Sequence, residues 1–131
     1  MANVDLSQFR NLFIQTSQEY LQKLEDGLKI LLRNPSDTSG IETMYISSHS
    51  LKSQSLLMGY TSLGNAAFSL EKLFRIIKEH DTLLTSEMIS AVSLMLQAMR
   101  QSLSGIVNGK KETDVSKETA QINHLAEGAG A

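Results

Sequence analysis

Apolar residues recur along most of this chain at spacings of three and four, the repeat of a helix that buries one face. The first run is Phe9, Leu12, Phe13, Thr16, Tyr20, Leu24, Leu28 and Leu31. It predicts a long helix capped by Asp5 or Ser7, since short oxygen-bearing side chains accept from the free amides of a first turn. That helix must stop before Asn34-Pro35, because proline has no amide hydrogen and disfavours helical backbone at the residue before it. Gly27 inside the run costs up to about 1 kcal/mol relative to alanine, which packing has to offset. Ser39-Gly40-Ile41-Glu42 reads as a capping box opening a second helix. Its inward stripe is Met44, Ser48, Leu51, Ser55 and Met58, and Gly59 suits the left-handed turn that ends it. A third helix starts at Thr61 or Ser62, turns Leu63, Ala66, Ala67, Leu70, Phe74 and Ile77 inward, and ends near Glu79-His80-Asp81. Thr85 caps a fourth, with Met88, Val92, Met95, Met99, Leu103 and Ile106 inward, ending at Gly109.

The connections are short, so successive helices are antiparallel neighbours. The predicted fold is all-α, an up-down antiparallel four-helix bundle over residues 1–109. Beyond Gly109 the composition turns to Lys-Lys-Glu-Thr-Asp, a polar linker. Val115, Thr119, Ile122 and Ala126 then recur at 4-3-4, which predicts a short fifth helix within residues 110–131, with a frayed Gly-Ala-Gly-Ala end.

The chain of 131 residues, 41% of them hydrophobic, is long enough for one real core. A net charge of −2 and a pI near 5.9 leave no basic stripe for phosphates, which argues against nucleic acid as a partner. With no cysteine, disulfides, thiolate chemistry and thiolate-bound metals are excluded. The opening Met-Ala-Asn-Val-Asp has neither the basic nor the apolar region of a signal peptide, and no apolar run approaches the ~20 residues of a membrane span. A soluble cytoplasmic protein, monomeric as an isolated domain, is expected.

Candidate chemistry concentrates in the second helix. His49 and Lys52, three apart, share a face. His49 sits one residue, about 100°, off the core stripe, within reach of solvent. A reachable imidazole beside an ammonium can take up a phosphoryl group, because the lysine offsets charge arriving on the phosphoryl oxygens. The turn to the third helix centres on Tyr60; His49 lies eleven residues before it and Glu71 eleven after, so the hairpin brings them level. A carboxylate there would hold the Nδ1 proton and leave the Nε2 lone pair free. Glu71 has a plainer alternative, a surface pair with Arg75 four residues on. His80 meets a helix dipole and His124 lies in the weak tail helix. The three histidines are too scattered for a metal site.

His49-Ser50-Leu51-Lys52-Ser53, small Ser55, then Gly59-Tyr60 resembles the signature of histidine phosphotransfer domains, above all the N-terminal module of chemotaxis histidine kinases. The likeness extends over roughly Asp5 to Ile106 as the order and length of helices. It implies that His49 accepts a phosphoryl group at Nε2 from an ATP-dependent kinase domain and passes it to an aspartate of a response-regulator receiver domain. Glu71 then orients His49 and Lys52 is the phosphoryl charge partner. Two neighbours depart from the family pattern. Ser53 stands where glycine is usual, its hydroxyl a candidate donor to a phosphoryl oxygen. Phe68 stands where a second histidine is frequent. No Gly-rich phosphate loop is present, so the chain holds no cofactor of its own, and Mg and ATP belong to the partner kinase. Whether the chain counts as an enzyme stays open; the resemblance makes it a phosphocarrier, and favours a fragment of a histidine protein kinase over a free-standing phosphotransfer protein. Two alternatives stand beside this: an all-helical adaptor that is never phosphorylated, and the dimerisation helix pair of an orthodox sensor kinase. The second fits less well, because no proline follows Lys52 and the chain has four helices of its own.

Overall fold

Pro35 ends the first helix as required. In the computed structural model, which describes residues 6–130, α1 spans Leu6–Arg33 and α2 spans Thr38–Leu57. Gly59, at φ +83°, makes the tight reversal into α3, Thr61–His80. Thr85 accepts from the Met88 amide at 3.1 Å and opens α4, Ser86–Val107. A fifth helix, α5, covers Ser116–Gly130. There is no strand among the described residues. Successive helices α1 to α4 pack against one another, and α4 closes back on α1, where Arg100 grips the Glu25 carboxylate with two nitrogens. The all-α bundle is therefore as expected, with five helices.

Every residue expected inward on α3 and α4 is buried, from Leu63 to Ile77 and from Met88 to Ile106. On α2, Met44, Ser48, Leu51 and Ser55 are buried, and Met58 is half-buried at the helix end. Gly27 has its reason here, since a Cβ at that position would stand 2.8 Å from Met44 Sδ. On α1, Phe13, Leu24, Leu28 and Leu31 are buried as expected, and the structure corrects the remainder of the stripe. Phe9 and Leu12 are exposed, whereas Leu21 and Ser17 are buried. Phe13 turns into the core and stacks on Tyr60, whereas Phe9 and Leu12 line an open groove with Leu57 and Met58 at the end of α2. Asp5 lies outside the described residues, and Ser7 lies within the first turn of α1.

The cap of α2 is also corrected. Asp37 caps the helix, accepting from the Gly40 amide at 2.8 Å and the Ser39 hydroxyl at 2.6 Å. Glu42, expected to complete a capping box, instead pairs with Lys78 of α3 at 2.7 Å.

The fifth helix is present as expected, and the polar stretch before it is held against the bundle. Its residues are pinned: the Leu63 amide donates to Glu112 and the Thr113 amide to Ser102, both at 2.9 Å, and the Val115 amide donates to Ser62 at 3.0 Å. Val115, Ile122 and Ala126 join the common core, and α5 lies against α3 and α4 as far as Gly130, where a Cβ would touch Ile76. Burial of Val115 and Ile122 is worth about 1.5–3 kcal/mol each. A chain ending at Gly109 should therefore lose about 3 kcal/mol or more of stability, read as a lower midpoint in urea unfolding. An unchanged midpoint would make α5 an accessory to a core that is complete without it.

Candidate functional site

The α2–α3 hairpin builds the site, and small residues decide how closely its helices approach. Gly64 lies against Leu56; a Cβ there would stand 2.4 Å from Leu56 Cδ2, so no larger residue fits this crossing unchanged. Buried Ser48, Ser55 and Ala67 continue the thin seam. At that separation one carboxylate on α3 can reach two side chains on α2. Glu71 does so: Oε1 lies 3.1 Å from His49 Nδ1 and Oε2 lies 2.7 Å from Lys52 Nζ. The alternative pairing of Glu71 with Arg75 is not found among the described residues.

Exposure differs sharply across the three. The His49 side chain is 56% exposed and that of Lys52 20%, while Glu71 is only 6% exposed. Burial by itself would push the Glu71 carboxyl up; the hydrogen bonds from Lys52 and His49, with their charges, outweigh it and hold the group below its ordinary value. Glu71 is thus a carboxylate at neutral pH and can only accept, so in the neutral imidazole of His49 the proton sits on Nδ1 and the lone pair falls to the exposed Nε2. That leaves a nucleophilic nitrogen on a fixed ring, open to a large partner.

The lowered Glu71 value has a consequence for stability. A group whose folded pKa lies below its unfolded one stabilises the fold above the unfolded value, ordinarily 4.5 here, and loses that contribution as pH falls through the folded value. Thermal melts should therefore show the wild type losing more stability on acidification through this range than Glu71→Gln does. Parallel acid limbs for the two proteins would mean that the carboxylate contributes no pH-dependent stability.

The neighbours predicted from sequence fall as follows. Ser53 donates its hydroxyl to the His49 carbonyl at 3.1 Å, so the candidate phosphoryl donor is engaged with its own helix. Phe68 lies on α3 beside Lys52, whose Nζ is 4.9 Å from the ring centroid. Lys72, which sequence reasoning passes over, places its Nζ 4.7 Å from the same ring. Its position four residues after Phe68, the spacing of same-face pairs, is the signal that could have found it. His80 and His124 lie outside this cluster and have no ion pair among the described residues. Those residues also contain no group of three or more His, Cys, Asp or Glu arranged for a metal. No helix among them is long and apolar enough to cross a membrane.

The Hpt domain family model matches residues 8–102, which contain all of these site residues. The chain belongs to the Hpt domain family. This Hpt domain is 27% identical over 121 residues to the chemotaxis protein CheA of Bacillus subtilis, a match covering 92% of the chain and 18% of the relative. It is 23% identical over 116 residues to CheA of Listeria monocytogenes, covering 88% of the chain and 19% of the relative. The Hpt domain thus spans about a fifth of the length of these relatives. Its fold matches that of the phosphorylated P1 domain of CheA3 from R. sphaeroides, solved in complex with CheY6, with a TM-score of 0.82 and 13% identity. That match covers 93% of this chain and 98% of the other, so the likeness in fold takes in nearly all five helices.

Proposed function

We propose that this chain is the phosphotransfer module of a chemotaxis-type two-component system and that His49 is its phosphoryl acceptor. The observation that carries the reading is the 3.1 Å contact from His49 Nδ1 to a buried carboxylate, on an imidazole more than half exposed. Membership of the Hpt family and the similarity to CheA proteins support it. In the first step Nε2 attacks the γ-phosphorus of ATP held with Mg by a separate kinase domain. The N–P bond forms, the bridging P–O bond breaks and ADP leaves. Positive charge grows on the ring, and the Glu71 carboxylate offsets it through the Nδ1 proton. In the second step an aspartate oxygen of a receiver domain attacks phosphorus, the N–P bond breaks, and the electron pair returns to Nε2. The chain supplies position and a nucleophile, acts in the cytoplasm and works as a monomer.

A second reading, an adaptor that binds partners without being phosphorylated, draws on an apolar groove between α1 and α2 lined by Phe9, Leu12, Phe13 and Leu57. Surfaces of this kind mark interaction sites. One experiment separates the readings: incubation with a chemotaxis kinase domain and Mg-ATP, followed by a chase with a receiver domain. Label that enters the chain and leaves to the receiver supports the carrier; receiver binding with no label at any stage would sink it in favour of the adaptor.

A further inference from the structure

A phosphoryl group on His49 brings about −1.5 to −2 charge into a site whose charges are already matched. This step rests on the acceptor reading of His49. Glu71 gives one oxygen to His49 Nδ1 and the other to Lys52, whose ammonium lies 2.7 Å away. Were Lys52 drawn off to the phosphoryl oxygens, a carboxylate only 6% exposed would be left without its cation. Losing one partner of a buried pair is strongly unfavourable, because the remaining charge has lost its solvation as well. The expectation that Lys52 itself neutralises the phosphoryl group therefore meets a competing demand.

Another cation stands beside it. Lys72 directly follows Glu71 on α3, and its ammonium lies 4.7 Å from the Phe68 ring centroid, while that of Lys52 lies 4.9 Å from the same centroid. One ring thus gathers two ammoniums at the edge of the His49 site. Their situations differ. Lys52 is neutralised by Glu71, whereas Lys72 has no carboxylate within ion-pair distance among the described residues. An aromatic face attracts a cation through its quadrupole and leaves the net charge intact, so Lys72 is held in place and still available to an anion. Its four-carbon stem can swing from the ring without movement of the backbone. A histidine at position 68, frequent in the family, could itself titrate and donate; phenylalanine does neither and can only locate its neighbours.

We propose that Lys72, held over Phe68, is the cation that pairs with the phosphoryl group on His49, leaving Lys52 with Glu71. The other charged groups at the His49 site are Lys52 on α2 and Glu71 on α3, and Arg75 follows Glu71 by one turn. Arg75 also lacks an ion pair among the described residues, but its guanidinium is not held over the Phe68 ring, and it serves as the control.

The test is a phosphorus NMR titration of the chain phosphorylated chemically with phosphoramidate, in a His80→Gln/His124→Gln background. This donor labels an exposed imidazole whether or not any kinase uses it, so the measurement stands apart from the kinase and receiver assay. A nearby cation favours the doubly ionised phosphoryl group. Lys72→Gln should therefore raise its titration midpoint by about 0.5 pH unit, the effect of one charge ~6 Å away at a dielectric near that of water. Lys72→Arg should restore the midpoint, Phe68→Leu should raise it by a smaller amount, and molar salt should erase the differences. An unchanged midpoint in Lys72→Gln, or an equal rise in Arg75→Gln, would overturn the proposal; an unchanged midpoint in Phe68→Leu would overturn the part given to the ring. Normal titration in a chain that no kinase phosphorylates would instead count against the carrier reading alone.

Discussion

Replacing His49 by glutamine is expected to abolish phosphoryl incorporation from a kinase domain completely. Glutamine is close in length and can still place its amide nitrogen toward Glu71, so the ion pair of Glu71 with Lys52 and the α2–α3 packing should survive. What it lacks is a basic nitrogen, and without the Nε2 lone pair there is nothing to form the bond to phosphorus. The wild-type product should be a phosphoramidate, lost in acid and retained in base. His80 and His124 should not substitute, because neither has a carboxylate on a ring nitrogen among the described residues. The measurement is acid-labile label from radioactive ATP, with helical circular dichroism to show that the variant is folded. Acid-labile label remaining on a folded His49→Gln would move the acceptor elsewhere.

Removal of the Glu71 charge should give the second largest effect. Loss of a positioned acid-base partner typically costs about 10²–10⁴-fold in rate. Glu71 touches no reacting atom and works through the imidazole, so a fall of about 10²-fold or less is expected. Two variants separate its parts. Glu71→Gln retains an oxygen that can accept the Nδ1 proton and so keeps the ring oriented, but it loses the charge that offsets a developing imidazolium. Glu71→Leu loses both and leaves Lys52 without its partner. Single-turnover phosphorylation should therefore fall in the order wild type, Gln, Leu, with helical content preserved at least in the Gln variant. A Gln variant as fast as wild type would confine Glu71 to holding Lys52, and the carboxylate charge would have no part in the transfer.

Much of this arrangement is legible in the order of residues. The helix ends at Pro35 and Gly59 follow from a missing amide hydrogen and from left-handed backbone, both properties of a single residue. The inward faces of α3 and α4 follow from a period repeated over five or more turns, where one misplaced residue cannot shift the stripe. Glu71 is reached by counting from the turn, because an antiparallel hairpin with a tight connection has little freedom in register. Short-range rivalry is harder to judge. Ser39 and Asp37 could each cap α2, and the choice falls to Asp37, which accepts from the Gly40 amide while Glu42 finds Lys78 on another helix.

The order of residues is enough for the periodic faces, the breaks between helices and the level placement of Glu71 with His49, since each depends on residues joined by a helix or one tight turn. The tertiary structure decided what neighbours do with those faces. Phe9 and Leu12 belong to the apolar stripe of α1 yet stay exposed, because with Leu57 of α2 they line an open groove outside the core. Val115 and Ile122 occupy a sparse stripe yet are buried, because α3 and α4 leave a surface that α5 covers. Lys52 carries the charge suited to a phosphoryl group, and it is the narrow seam at Gly64 that brings Glu71 near enough to claim it. Period records which side of a helix avoids water; the lengths and separations of the packed helices settle which side chains meet.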